Sequence, residues 1–309
     1  MKKQFTFDSA GVGKIVATAW QPANKPVAVV QILHGIAEHS ERYENFATYL
    51  NSLGYAVVAE DHMGHGATVE YGGVKGYFHG GWWAAIDDAC ALMRMTMEQY
   101  LDVPYILFGH SMGSFMARSI LSKYPDIGIS GCVICGTGWQ PDLVLGAGRA
   151  LAGGICKKSD PQKPSVLLHN IAFGSYNKRV EHPRTPHDWL TRDNAVVDAY
   201  AADPMCGFVA SAGLMNDMFE GISYIQKPEN IAAMRKDLPV LFVAGGDDPV
   251  GDYGKGVRKA AQAFVNAGMK QVATKIYPMG RHEILNEINK KEVYKDISAW
   301  LDCVVNSTN

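Results

Sequence analysis

Seven short apolar runs, rich in β-branched residues and bounded by Gly, Pro or Asp, predict buried strands. They span residues 15–20 (IVATAW), 27–33 (VAVVQIL), 55–59 (YAVVA), 105–108 (YILF), 129–135 (ISGCVIC), 239–244 (PVLFVA) and 272–277 (VATKIY). Helical patterns lie between them. After Gly81, the apolar positions Trp82, Ile86, Ala89, Met93, Met97 and Tyr100 recur at spacings of three and four. Asp87, Asp88, Arg94 and Glu98 fall on the other faces, which is amphipathic periodicity. Tyr43, Phe46, Ala47, Leu50 and Leu53 repeat the pattern ahead of Gly54, and Val293, Ile297, Trp300 and Val304 repeat it near the C-terminus. Strands without polar alternation, separated by amphipathic helices, predict an α/β fold with a mainly parallel sheet covered on both faces.

This rhythm breaks between about residues 137 and 235, where prolines 141, 161, 164, 183, 186, 204 and 228 punctuate a loop-rich stretch with few strand-like runs. It resumes at Leu238. The expected organisation is a sheet domain built from residues 1–136 and 236–309, with residues 137–235 inserted. There is no internal repeat and no low-complexity tract.

Composition narrows the classes. Hydrophobic residues make up 47% of the 309, enough for a large core, and 29 Lys+Arg against 31 Asp+Glu leave a formal charge of −2. That balance lacks the basic excess of an electrostatic nucleic-acid binder. No apolar run reaches the ~18–20 residues of a membrane span. The opening MKKQFTFD has no apolar stretch behind its lysines, so no secretory leader is expected. Six cysteines are too sparse for a disulfide scaffold, and a reduced, cytoplasmic protein is expected.

The strongest chemical signal is Gly109-His110-Ser111-Met112-Gly113, a G-x-S-x-G directly after an apolar strand and directly before a helical run ending near Tyr124. That setting fits a nucleophile elbow, a sharp strand-to-helix turn that exposes the serine hydroxyl. Gly109 and Gly113 avoid side-chain collisions with neighbouring backbone, and the helix N-terminus directs N–H groups at developing negative charge. A serine nucleophile needs a base, and the base needs an acid to fix its tautomer. In this strand–turn–helix context the order along the chain is Ser, Asp or Glu, then His. The strand ending at Ala244 runs into Gly245-Gly246-Asp247-Asp248-Pro249, and the strand ending at Tyr277 runs into Gly280-Arg281-His282-Glu283. His282 is the only histidine after His187. The adjacent Asp247 and Asp248 are not separable on this ground.

The chain resembles the α/β-hydrolases of the monoacylglycerol lipase and lysophospholipase group, also labelled serine aminopeptidase-like. The resemblance rests on His34-Gly35-Ile36-Ala37-Glu38-His39-Ser40 with Arg42-Tyr43, on Asp61-His62-Met63-Gly64-His65-Gly66, and on the elbow. It continues through Asp188-Trp189-Leu190, Asp203-Pro204, the turn at 245–250 and Gly280-Arg281-His282. It implies an α/β-hydrolase fold with a cap inserted after the sixth strand. It also implies a catalytic triad of Ser111, Asp248 and His282, the family's G-x-x-D turn favouring Asp248. The oxyanion hole is expected from the N–H of Met112, after the nucleophile, and of Ile36, in the loop after the third strand. His34 is expected to support that loop by hydrogen bonding. Family members often carry glycine where this chain has Ala37.

Other patterns carry less. Cys132 and Cys135 sit three apart within a predicted strand and should face opposite ways. His62 and His65 lack a Cys or Glu to complete a zinc set, and Gly146-Ala147-Gly148 is no dinucleotide fingerprint. The apolar, glycine-spaced stretch 142–155 reads first as a cap helix packed on its neighbours; the functional alternative is a lipophilic rim admitting an acyl chain and touching a membrane or micelle surface. Leu143, Leu145 and Leu151 are candidate substrate contacts there, joined by Met215, Met218 and Phe219. The expected activity is hydrolysis of carboxylic esters with lipophilic acyl groups, of monoacylglycerol or lysophospholipid type, without metal or organic cofactor. An amidase or aminopeptidase using the same triad is the alternative, with Glu220 or Glu229 receiving a free amino terminus; a non-catalytic ligand-binding module is the other.

Overall fold

The computed structural model describes residues 1–308. Eight strands form one sheet: β1 (Lys2–Asp8), β2 (Lys14–Trp20), β3 (Val29–Leu33), β4 (Ala56–Asp61), β5 (Tyr105–His110), β6 (Gly131–Cys135), β7 (Val240–Gly245) and β8 (Val272–Tyr277). Their order is β1-β2-β4-β3-β5-β6-β7-β8. The first two pairings, β1 with β2 and β2 with β4, are antiparallel. From β4 to β8 every pairing is parallel. The seven expected strands are all present, no end shifted by more than two residues. β1 was not among them. It is an edge strand whose Phe7 alone is buried.

The sheet is covered on both faces because its strands are apolar on both. α1 (Glu44–Ser52) and α10 (Lys290–Thr308) lie on one side, where Phe46, Leu50, Ile297 and Leu301 meet Ile106, Val133 and Val243. α2 (Gly81–Gln99), α3 (Met112–Lys123) and α9 (Lys255–Asn266) cover the other, through Ile86, Met93, Met116, Ile120 and Phe264. Cys132 belongs to the second layer and Cys135 to the first, on opposite faces as period-two geometry requires.

Between β6 and β7 the chain leaves the sheet and forms α4 (Asp142–Lys158), α5 (Val166–Phe173), α6 (Asn194–Ala202), α7 (Ala212–Ile225) and α8 (Pro228–Ala232). α7 seats this stretch on the core: a Cβ at Gly221 would stand 2.2 Å from the Trp82 ring, so only glycine permits the approach. Parallel strands β3, β5, β7 and β8 all end at one edge of the sheet, with Leu33 beside Gly109 and Gly245 beside Tyr277. Strand order reverses at β3, and crevices of this kind form at such a reversal.

Candidate active site

At the end of β5 the chain turns into α3 through Ser111, with φ 53° and ψ −118°. A non-glycine residue rarely occupies that region, and it persists only where its surroundings enforce it. The enforcement is visible. A Cβ at Gly109 would lie 2.3 Å from the Gly113 carbonyl oxygen, and one at Gly113 would lie 2.0 Å from that of Leu33. The Ser111 N–H donates to the Cys135 carbonyl at 3.0 Å. The tight turn therefore presses α3 onto β3 and projects Ser111 into a cavity of about 1130 Å³.

His282 lines the same cavity. Its Nδ1 lies 3.0 Å from Asp248 Oδ2, and both residues are buried. A carboxylate only accepts, so Nδ1 carries the hydrogen and Nε2 on the opposite edge of the ring is left to accept a proton. Burial alone would lower the His282 pKa, but the Asp248 charge and hydrogen bond, helped by Glu283 and Glu38, raise it. The turn resolves the two adjacent acids. Asp247 is exposed, whereas Asp248 is fully buried and accepts the Val250 N–H at 2.9 Å. His110, from the elbow, has its ring centroid 4.7 Å from that of His282. Burial and the neighbouring His282 push its pKa down to about 4, so it stays neutral beside the His282 imidazole.

The loop after β3 brings Ile36 to the cavity opposite Met112. Among the described residues, neither N–H finds an acceptor in the chain. His34 Nδ1 donates to the Gly35 carbonyl at 2.7 Å, while its Nε2 accepts the His62 N–H at 3.0 Å. A planar trans peptide holds its C=O and N–H antiparallel, so fixing the Gly35 carbonyl fixes the direction of the Ile36 N–H. A Cβ at Gly35 would stand 3.1 Å from the Ser111 Cβ, hence glycine. Ala37 has φ 55°, the left-handed region that favours the glycine family members often carry at this position. Beneath the loop, His62 Nδ1 reaches Glu60 Oε1 at 3.2 Å, a carboxylate that sequence inspection had not paired with the histidines.

The stretch between β6 and β7 closes over the imidazole. Trp189 places its ring 5.0 Å from that of His282, and the Leu190 carbonyl accepts the Glu283 N–H at 2.7 Å. Among the expected substrate contacts, Leu145, Leu151, Met218 and Phe219 line the cavity; Leu143 and Met215 do not. Helical phase explains both. On α4 the lining positions are Val144, Leu145, Ala147, Gly148 and Leu151, and Leu143 points outward at 86% exposure. On α7, Met215 is fully buried in the core layer behind the wall. Glu220 and Glu229, the acids considered for an amino terminus, do not line the cavity either. Trp189, Arg42 and Glu283 lie in motifs that the sequence shows, but no role in the site was assigned to them there.

A mostly parallel sheet, an elbow after β5 and a histidine–carboxylate pair after β8 and β7 define an α/β-hydrolase. The family model for serine aminopeptidase, S33, matches residues 24–289, and the chain belongs to that family. It is 27% identical over 304 residues to a monoacylglycerol lipase of Mycolicibacterium smegmatis, covering 97% of each chain. It is 26% identical to the monoglyceride lipase of Homo sapiens, over 91% of this chain and 84% of that one. A solved thermostable carboxyl esterase from Bacillus coagulans, in complex with glycerol, superposes with a TM-score of 0.92 at 31% identity. It covers 98% of this chain and 99% of that one. No described helix is long and apolar enough to cross a membrane.

Proposed function

We propose that the chain is a serine hydrolase of carboxylic esters bearing a lipophilic acyl group, of monoacylglycerol or lysophospholipid type. The observation that carries this reading is the His282–Asp248 pair at 3.0 Å in the cavity that Ser111 enters from a strained elbow. His282 takes the Ser111 proton as Oγ attacks the ester carbonyl, and Asp248 holds the imidazole in the required tautomer. The Ile36 and Met112 N–H groups receive the oxyanion, each worth about 3 kcal/mol of barrier. His282 then protonates the departing alcohol, and water hydrolyses the acyl-enzyme. Residues 137–235 serve as the cap, whose Leu145, Leu151, Met218 and Phe219 contact the acyl chain. The exposed apolar side chains of α4 and α5 rest transiently on a membrane or micelle surface. Six free cysteines suit a reducing, cytoplasmic setting.

The names of the two lipases and the esterase support an ester substrate, and the absence of Glu220 and Glu229 from the cavity lining counts against recognition of a free amine. The test compares p-nitrophenyl esters of increasing chain length with aminoacyl anilides, together with fluorophosphonate labelling. We expect ester turnover to exceed anilide turnover and both labelling and turnover to vanish in Ser111→Ala. Faster anilide cleavage would replace the reading with an amidase, and labelling that survives Ser111→Ala would remove the nucleophile.

A further inference from the structure

The donor loop after β3 and the imidazole loop after β8 lie far apart in the chain, yet the chemistry proposed above requires them to keep one fixed relation. We propose that Arg42 sets that relation as a positioning residue, clasping Glu38 of the first loop and Glu283 of the second; the inference rests on the ester-hydrolase reading. Arg42 Nη1 donates to Glu38 Oε2 at 2.6 Å and to Glu283 Oε1 at 2.6 Å, and Nη2 donates to Glu283 Oε2 at 2.6 Å. Two in-plane bonds to one carboxylate and a third to another use the planar guanidinium fork as an ammonium cannot.

Each carboxylate acts on a reacting element. Glu38 Oε1 accepts the Gly35 N–H at 2.6 Å and the Tyr43 hydroxyl at 2.9 Å. Glu38 and His34 together therefore grip both peptide groups of Gly35, and with them the aim of the Ile36 N–H. Glu283 directly follows His282, and its Oε2 also accepts from Asn286 Nδ2 at 3.1 Å. The guanidinium further stacks 4.7 Å from the Tyr200 ring, whose hydroxyl donates to the Ala37 carbonyl at 2.9 Å. All three charged groups are nearly buried, at 11%, 4% and 5% side-chain exposure for Arg42, Glu38 and Glu283. Desolvation would raise the Glu283 pKa, but the Arg42 charge and bonds bring it down to about 2, so it stays ionised. A buried ion cluster contributes little net stability compared with apolar packing of the same volume. Its geometric result is what distinguishes it: one side chain fixes the distance between the oxyanion donor and the base.

Arg42→Lys keeps the charge and loses the fork, so it tests position without leaving two carboxylates unpaired. With a soluble p-nitrophenyl ester we expect kcat to fall about 10- to 100-fold with KM within about twofold, because misplacement of reacting groups acts on the transition state. Glu283→Gln, which keeps shape and drops charge, should fall similarly. It should also shift the acid limb of the kcat profile to lower pH. The groups facing His282 are Asp248, Glu283, Glu38 and neutral His110, and this variant removes one of the three that favour its proton. Unchanged kcat in either variant overturns the proposal, and so does a loss confined to KM. A wild-type protein that neither hydrolyses esters nor takes a fluorophosphonate would instead overturn the ester-hydrolase reading. An active wild type with indifferent variants overturns only the role of Arg42.

Discussion

Ser111 holds φ 53° and ψ −118° because Gly109, Gly113 and the Cys135 carbonyl leave the elbow no alternative. Such backbone strain costs about 1–3 kcal/mol, a cost the fold accepts to expose one hydroxyl. Replacing Ser111 by glycine relieves the strain, less about 0.5–1 kcal/mol for the extra freedom of the unfolded chain. Ser111→Ala keeps the Cβ and so keeps the strain. Both variants are expected to be inactive, but Ser111→Gly should be more stable than Ser111→Ala by about 1 kcal/mol in urea unfolding. Equal midpoints would mean the elbow stores no strain. The pair separates backbone geometry from hydroxyl chemistry at one position.

At the scale of elements, α4 and α5 present apolar residues on both of their sides. Val144, Leu145 and Leu151 face the cavity while Leu143, Val166 and Leu167 face outward, and the surface contact proposed above would use that outward apolar face. Aspartates at 166 and 167 fall in the first turn of α5, where negative charge suits the helix dipole, so the fold should tolerate them. Val166→Asp with Leu167→Asp should weaken sedimentation with phosphatidylcholine vesicles by about a hundredfold or more, given ~1.5–3 kcal/mol for each of the two large apolar side chains removed from water. Turnover of a soluble short-chain ester should stay unchanged. Undiminished vesicle binding would move the contact elsewhere. These two helices also mark where sequence stopped being legible. Runs such as YILF and PVLFVA declare themselves as strands because both their faces are buried; β1 hides because only one of its faces is. Ser111 and His282 could be found from local context and chain order. Asp248 needed the family pattern, since adjacent aspartates differ only in burial, and the inward face of α4 or α7 depends on a helical phase that glycine-rich apolar sequence leaves open. The link from Arg42 to Glu283 spans 241 residues and leaves no local pattern to read.

The molecule as a whole keeps an unusual set of groups from taking protons. Burial holds His34 well below the usual histidine value, His65 at about 3 and His110 at about 4. In the unfolded chain each would bind a proton near pH 6.5, so below that pH the unfolded state is the better proton acceptor and stability falls as pH falls. Two buried carboxyls work the other way. Desolvation lifts Asp88 to about 6 and Asp217 to about 7, so between those values and 3.8 the folded state binds protons that the unfolded chain does not. His282, raised above 6.5, favours the folded state below that value and loses its contribution as pH rises through its folded pKa, so it adds nothing further to the slope near pH 5. His34, His65 and His110 against two carboxyls leave about one excess proton on the unfolded side near pH 5, a slope of about 1.4 kcal/mol per pH unit, and His169 and His187, also lowered by burial, act in the same direction. Below about pH 4.5, Glu283 joins the histidines, because the unfolded chain takes its proton while the folded state, with Glu283 at about 2, does not. Asp88 and Asp217 lose their offset over the same interval. Urea unfolding from pH 7 to pH 3.5 should therefore show stability falling gently to about pH 4.5 and steeply beneath it. His65→Gln should flatten the gentle part, since it deletes one unfolded-state proton without touching the cavity. A stability curve level from pH 7 to pH 4, or one unchanged in slope by His65→Gln, would mean that the buried imidazoles take protons in the folded state after all.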